Sequence, residues 1–327
     1  MELVEVHCLL LALALCLLVV RADAGEFQPK PVPSMQAVPQ PCQQVSFQRD
    51  GREIARYHFG PALDRPFLFP IVGPAGRSLT RMGHPHDPES HGHHNSVWVS
   101  HNDVNGTDFW SNGRGGRIVH RRVELLDDGP GRALLIAHND WVGKDGKTLL
   151  KDRRQIALHA LPKDEFLVVV DLELSANGTD AVLGKTPFGV FAVRMAKTVG
   201  VHDGGGTIRN SEGGVDEKGV FWKRAKWVDY SGLIAGPVAG SGFPAVEGIT
   251  LLDHPSNPNH PSFFHVRDDG WMGSSLTLDG PRTIKTTEPL KLRYGLYVHA
   301  SLPEPEAIEA KWAEFAKLPP AEAPKKR

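Results

Sequence analysis

Six of the sixteen histidines fall between residues 84 and 101: His84, His86, His91, His93, His94 and His101. Imidazole does two kinds of chemistry in proteins. It titrates near neutral pH, so it gives or takes a proton. It also ligates zinc, copper and iron. In extended backbone, residues two apart share a face, which pairs His84 with His86, His91 with His93, and His101 with Asp103. An H-x-D pair has the form of two of the three ligands of a mononuclear iron oxygenase, so His91, His93, His101 and Asp103 are candidate ligands for a divalent metal. Asn105, Asp108 and Trp110 follow at once. Asn105-Gly106 reads as a turn, and Trp110 among polar groups is a candidate sugar platform.

A second polar cluster, 253-DHPSNPNHPSFFHVR, lies about 160 residues further on and places Asp253, His254, Asn257, His260, His265 and Arg267 in a proline-punctuated loop. A third group is on a strand. In 290-LKLRYGLYVHAS the alternation puts Leu292, Tyr294, Leu296 and Val298 on one face and Arg293, Tyr297 and His299 on the other. A cation, a phenol and an imidazole in a row can hold an anionic or hydroxylated ligand and move protons. The expectation is one composite pocket. In it His94, His101, His299 and Asp103 do the acid/base work. His84, His86, Asn105, Asp108, Trp110, Asp253, His254, Asn257, His260, His265, Arg267, Arg293 and Tyr297 hold the ligand.

The elements that must carry these groups are mostly strands. Of 327 residues, 40% are hydrophobic and 23% charged, which is ordinary globular composition and leaves no place for a disordered or collagen-like chain. The net charge of -1 shows no electrostatic footprint for nucleic acid. Residues 9–20 are an apolar run too short to span a bilayer comfortably. With Ala22-Asp23-Ala24 behind it, it reads as a signal peptide over 1–24, which predicts a secreted or periplasmic protein with no membrane partner after cleavage. A membrane-anchored N-terminus is the lesser alternative. Cys8 and Cys16 fall in that segment, so the mature chain keeps Cys42 alone and has no internal disulfide.

Residues 25–43, with five prolines, read as an extended linker. Beyond it, Val45–Gln48 and Glu53–Phe59 flank Arg49-Asp50-Gly51 as a hairpin. Alternation marks a long strand over 166–174, and further strands near 65–72, 95–101, 117–126, 131–138, 150–160, 187–195, 219–228, 246–252 and 290–300. One helix is expected, over 304–317, because Ile308, Trp312, Phe315 and Ala316 share a stripe. Strands without alternating helices predict an all-β protein: a large two-sheet antiparallel sandwich, of the galactose-mutarotase-like supersandwich kind, over 44–318, with a C-terminal helix and a frayed tail over 319–327. Walker, Rossmann and G-x-S-x-G motifs are absent.

The segments RPFLFPIVGPAG, HDPESHGHHNSVWVSHNDVNGTDFW, IRNSEGG, WVDYSG, DHPSNPNHPSFFHVRDDG and LRYGLYVHAS together resemble a bacterial family of secreted proteins labelled "PmoA family" or "methane oxygenase PmoA". The resemblance runs from about residue 44 to 301. It implies that the loop at 84–110, the loop at 253–267 and the strand at 293–299 belong to one site. Asn95 follows the His93-His94 pair where the family pattern has an arginine. The leading expectation is a secreted carbohydrate-active enzyme using histidine acid/base chemistry on a small-molecule or oligosaccharide ligand. Epimerisation or eliminative cleavage suits imidazole better than hydrolysis, which favours paired carboxylates. A His/Asp-ligated metalloenzyme, as the label implies, and a non-catalytic glycan-binding module are the alternatives.

Overall fold

Apolar residues alternating at every second position build almost the whole chain. A computed structural model describes residues 29–83, 91–234 and 245–321. Its strands are β1 (Met35–Gln40), β2 (Gln44–Arg49), β3 (Arg52–His58), β4 (Phe67–Ile71), β5 (Val97–His101), β6 (Arg117–Asp127), β7 (Arg132–Val142), β8 (Thr148–Ala160), β9 (Phe166–Ala176) and β10 (Ala181–Leu183). They continue as β11 (Gly189–Arg194), β12 (Thr207–Asn210), β13 (Lys223–Ala225), β14 (Trp227–Leu233), β15 (Val246–Asp253), β16 (Ser262–Arg267), β17 (Trp271–Ser275), β18 (Arg282–Ile284) and β19 (Leu290–Ala300). Two short helices, α1 (Val201–Gly204) and α2 (Asp216–Val220), interrupt them, and α3 (Pro305–Lys317) closes the fold. No helix among the described residues is long and apolar enough to cross a membrane.

The strands pair antiparallel into a nine-stranded sheet, β1-β2-β3-β4-β5-β11-β17-β16-β13, and an eight-stranded sheet, β12-β14-β15-β19-β9-β8-β7-β6, with β10-β18 as a small separate pair. The protein is therefore the expected large two-sheet antiparallel sandwich with a C-terminal helix. Its main core lies between the sheets, where Phe47, Val97, Val99, Phe191, Val193, Phe264 and Met272 of the first meet Leu135, Ile156, Val168, Val170, Leu296 and Val298 of the second. Each sheet thus has an inner apolar face and an outer face with its own cover.

Helix α3 covers the outer face of the eight-stranded sheet. Pro305 opens it at a position where a missing N–H costs nothing, and Lys317 sits in its last turn, where the helix dipole favours a cation. Its buried Ile308 and Phe315 pack on Leu134, Ile136, Ala157, Val169 and Leu252. The Trp312 indole N–H donates to the Asp253 carbonyl at 2.9 Å, and the Trp227 indole N–H donates to Glu309 at 2.9 Å.

Four local expectations change. The proline-rich lead-in is not linker throughout. From Met35 it forms β1, whose Met35 and Ala37 are buried, because its prolines leave alternate apolar side chains free to enter the core. The compact unit accordingly begins at Pro33. The segment near 219 starts as α2 and becomes strand only at Lys223. The second half of the 253–267 segment is β16 rather than loop, since Phe264 and Val266 alternate into the core. Beyond α3 the chain stays docked as far as Ala321, whose carbonyl accepts from the Gln155 side chain at 3.0 Å. The segment expected to be a signal peptide, 1–24, and most of the tail lie outside the described residues.

Truncating Phe315 to alanine removes a fully buried ring from the helix–sheet contact, at an expected cost of about 3–5 kcal/mol in urea denaturation. A loss under about 1 kcal/mol would show that α3 does not depend on this contact.

Candidate functional site

The outer face of the nine-stranded sheet carries chemistry instead of a helix. Register across neighbouring strands lines up side chains in rows. Phe67 of β4 stands opposite Trp98 of β5, Trp98 opposite Ala192 of β11, Ala192 opposite Gly273 of β17, and Gly273 opposite His265 of β16. The next row runs Arg194, Trp271, Arg267. Since Val97, Val99, Phe191, Val193, Phe264, Val266 and Met272 turn into the core, the rows between them face outward. Gly273 is needed here. A Cβ on it would come 2.4 Å from the Trp271 ring, so only glycine lets that indole lie flat across the sheet.

On this face Trp98, Trp110 and Trp271 pack against one another with centroids 5.3–5.8 Å apart. The three indoles form a floor. His94 lies on it, 5.3 Å from Trp98 and 5.4 Å from Trp271, and His91 stacks parallel on His94 at 4.6 Å. Two devices hold the segments that carry these rings. Arg65, buried at 1% exposure, donates to the carbonyls of His93, Phe109 and Trp110 and to the side-chain oxygen of Asn95. It thereby ties the histidine segment to the Trp110 segment. Asp108 accepts from the backbone N–H groups of Trp110 and Ser111 at 2.7 and 3.0 Å, a turn that aims Trp110 at the floor.

Above the floor is a cavity of about 810 Å³, ample for a sugar unit or two. Histidines 91, 93, 94 and 265 line it together with Trp110, Trp271 and Phe188. Charged groups alternate around its wall. Arg194 donates to Asp269 at 2.8 Å, and the second oxygen of Asp269 stands 3.8 Å from the His91 ring. Arg267 pairs with Glu217 at 3.1 Å. The Glu217 and Asp268 carboxylates cap one another's backbone N–H groups at 3.0 and 3.1 Å, fixing α2 to the turn before β17. Lys197 and Asp203 also line the wall.

The imidazoles here are held neutral. Burial, then the charges of Arg65 and the neighbouring His91, push His93 down to about 4. Burial, then the charges of His93, Arg194, His91 and Arg81, keeps His94 well below the ordinary value. Burial and Arg267 bring His265 to about 4, against an opposing hydrogen bond with the Pro187 carbonyl. The His265 Nδ1 is buried and has no hydrogen-bond partner. His94 likewise lines the cavity with its Nδ1 unpartnered.

The structure thus brings together His91, His93, His94, Trp110, His265 and Arg267, with Asp108 supporting them from below. It separates the other expected residues. Counted from Val97 and Val99, His101 falls on the core side of β5. Its Nε2 bonds the Thr277 hydroxyl at 2.9 Å and its Nδ1 accepts the Asp103 N–H at 3.1 Å, so both nitrogens are consumed. The Asp103 carboxylate accepts from the Gly106 N–H, and Asn105 accepts from the Val182 N–H, so both shape the turn. Neither His101 nor Asp103 lines the cavity. Trp110 is only 3% exposed and is floor rather than an open platform.

The remainder lies on the eight-stranded sheet, under or beside α3. Asp253 accepts from Asn257 and bonds His260, each at 2.7 Å, and the His260 ring stacks on Trp312 at 5.9 Å. Asn257 also exchanges two hydrogen bonds with the Arg293 backbone. His254 bonds the Ala316 carbonyl at 3.2 Å, and Arg293 pairs with Asp171 and the Leu318 carbonyl. The Tyr297 hydroxyl donates to Glu165 at 2.6 Å. His299, fully buried, bonds Asp229, which also accepts from Arg209, Ser231 and Thr250. These groups satisfy one another and anchor the helix and the sheet end; they do not face the cavity. His84 and His86 lie outside the described residues. Among the described residues no three His, Cys, Asp or Glu side chains converge as a metal site.

Sequence reasoning missed Arg65, Arg194, Asp269, Trp271, Glu217 and Phe188. For Arg194 and Trp271 a signal existed: in GVFAVR and WMGSS they take the outward alternate of a core strand. Arg65 offered none, because its acceptors are carbonyls 28 to 45 positions away.

Replacing Arg65 with methionine orphans four acceptors and is expected to cost at least about 2 kcal/mol while opening the 91–110 segment to protease. Unchanged stability and unchanged cleavage would contradict this role. Stability should also depend on pH. Histidines held neutral in the fold protonate first in the unfolded chain, so their contribution is complete above about 6.5 and is lost as pH falls toward about 4. His101, fully buried, accounts for roughly 3 kcal/mol of that fall. Urea midpoints measured from pH 7 to pH 4 should decline across this window and decline less in a His101→Gln variant; a flat or rising profile would refute it.

Among solved structures, the chain resembles the crystal structure of 4-alpha-glucanotransferase from Thermococcus litoralis, with a TM-score of 0.31 and 10% identity over 83% of this chain and 40% of that one. The chain therefore spans about two fifths of that protein's length. No curated protein matches the sequence. A family model does match, over residues 44–313, and its description carries neither an activity nor a link to the PmoA label. The chain belongs to this family of unknown function, DUF6807.

Proposed function

We propose that the outer-face cavity binds a carbohydrate and that its neutral imidazoles exchange protons with the ligand's hydroxyl or carbon-bound hydrogens. The observation that carries this reading is the lining of the cavity: His91, His93, His94 and His265 stand beside Trp110, Trp271 and Phe188. A neutral imidazole donates one hydrogen bond and accepts another, so it suits a hydroxyl. The paired charges around the wall supply both donors and acceptors, which is what a ring of hydroxyls requires.

Within this reading a neutral His94 or His265 is the base, since a ring held uncharged takes a proton and does not begin as the acid. Both rings pack on Trp271, with centroids 5.4 and 5.2 Å from it. Removal of a carbon-bound proton by such a base opens both epimerisation and eliminative cleavage. A secreted or periplasmic location would place such a site in contact with polysaccharide.

Calorimetric titration with a panel of plant and algal oligosaccharides, with product analysis by chromatography, tests the proposal. At least one sugar should bind the wild type. His265→Phe preserves the aromatic packing and should weaken that binding at least tenfold, about 1.4 kcal/mol. No binding at millimolar sugar, or equal affinity in His265→Phe, would overturn it.

A further inference from the structure

Trp222 is exposed where five of the other six tryptophans of the fold are covered and Trp312 is half-buried. Trp222 keeps 47% of its surface in water, whereas Trp98, Trp110, Trp141, Trp227 and Trp271 keep 4% or less. Its backbone is also strained: φ is +54°, a left-handed conformation that bulky side chains seldom adopt. The neighbouring structure imposes it. Trp222 lies between α2 and β13, and its N–H is pinned to the Phe264 carbonyl at 2.8 Å. Strain that the surroundings enforce tends to be found at ligand clamps. An indole left in water does nothing for the core.

Its position supplies the reason. Trp222 stacks on Phe221 with centroids 4.5 Å apart and planes 20° apart, a shelf in which the phenyl ring backs the exposed indole. His265 meets both rings edge-on, at 5.1 Å from Phe221 and 6.5 Å from Trp222. The Arg267 guanidinium lies 5.5 Å from the centre of Phe221. His265 and Arg267 are themselves cavity residues, so the shelf continues directly from the cavity wall.

We propose that the Trp222–Phe221 shelf is a second sugar subsite, on which a pyranose ring lays its apolar C–H face while the adjoining ring of the same chain occupies the cavity. The inference rests on the carbohydrate reading of the cavity and narrows it: the ligand is at least a disaccharide. Pyranose rings present just such a face, and a flat exposed indole offers it area with little loss of side-chain freedom.

The test uses the full chain with Trp222→Ala and Trp222→Phe, both tolerable at an exposed position. Cellobiose, lactose and maltose are titrated against glucose and galactose by calorimetry and tryptophan fluorescence. The wild type should bind a disaccharide at least fivefold more tightly than its monosaccharide. Trp222→Ala should abolish that advantage without changing monosaccharide affinity, and Trp222→Phe should keep part of it. A disaccharide advantage that survives Trp222→Ala, or an equal loss for both sugar lengths, overturns the shelf and leaves the cavity reading standing. Wild type that binds no sugar overturns both. Self-association by sedimentation that Trp222→Ala removes, with sugar binding unaltered, assigns the shelf to a second copy instead and also overturns the proposal.

Discussion

Antiparallel register across β4, β5, β11, β17 and β16 is the constraint on which the site depends. Because side chains alternate across a strand, one choice of register settles two surfaces together. It sends Val97, Phe191, Met272 and Phe264 into the core, and in the same act lines up Trp98, Ala192, Gly273 and His265 on the outside. A slip of one residue in β5 would put Val97 and Val99 on the outer face and Trp98 between the sheets. The small residues in the middle of the row, Ala192 and Gly273, leave the depth that the indoles and imidazoles fill.

The two outer faces are handled in opposite ways. On the eight-stranded sheet, polar residues are paired off and α3 seals them: Asp253 with Asn257 and His260, Arg293 with Asp171, Asp229 with His299. On the nine-stranded sheet no helix among the described residues covers the corresponding row, and His91, His93, His94 and His265 line a cavity there. Arg65 locks the loops that carry the rings, and its own burial pulls its pKa down to about 10.

Much of this was legible before the fold was seen. Alternation in 166–174 and 290–300 identified the central strands, and the 3.6-residue stripe identified α3 within one residue. Of the histidine segment, His91, His93 and His94 do line the outer-face cavity. What failed was the joining of polar clusters by composition. His254, His260 and His299 look like His94 in a sequence, yet each bonds a local carboxylate, hydroxyl or carbonyl away from that cavity. Which sheet a strand belongs to is decided by long-range pairing, so a polar face on β19 could be predicted while its side of the sandwich could not. His101 is the exception: counting by twos from Val97 and Val99 already put it inside.

The account turns on the charge of the cavity histidines. Nitrogen-15 NMR of histidine-labelled protein from pH 7 to pH 4 reports the protonation of His265, with His265→Phe assigning the signal. A neutral ring at pH 7, persisting until the pH approaches 4, is the predicted state. An imidazolium at pH 7 would contradict the site described above.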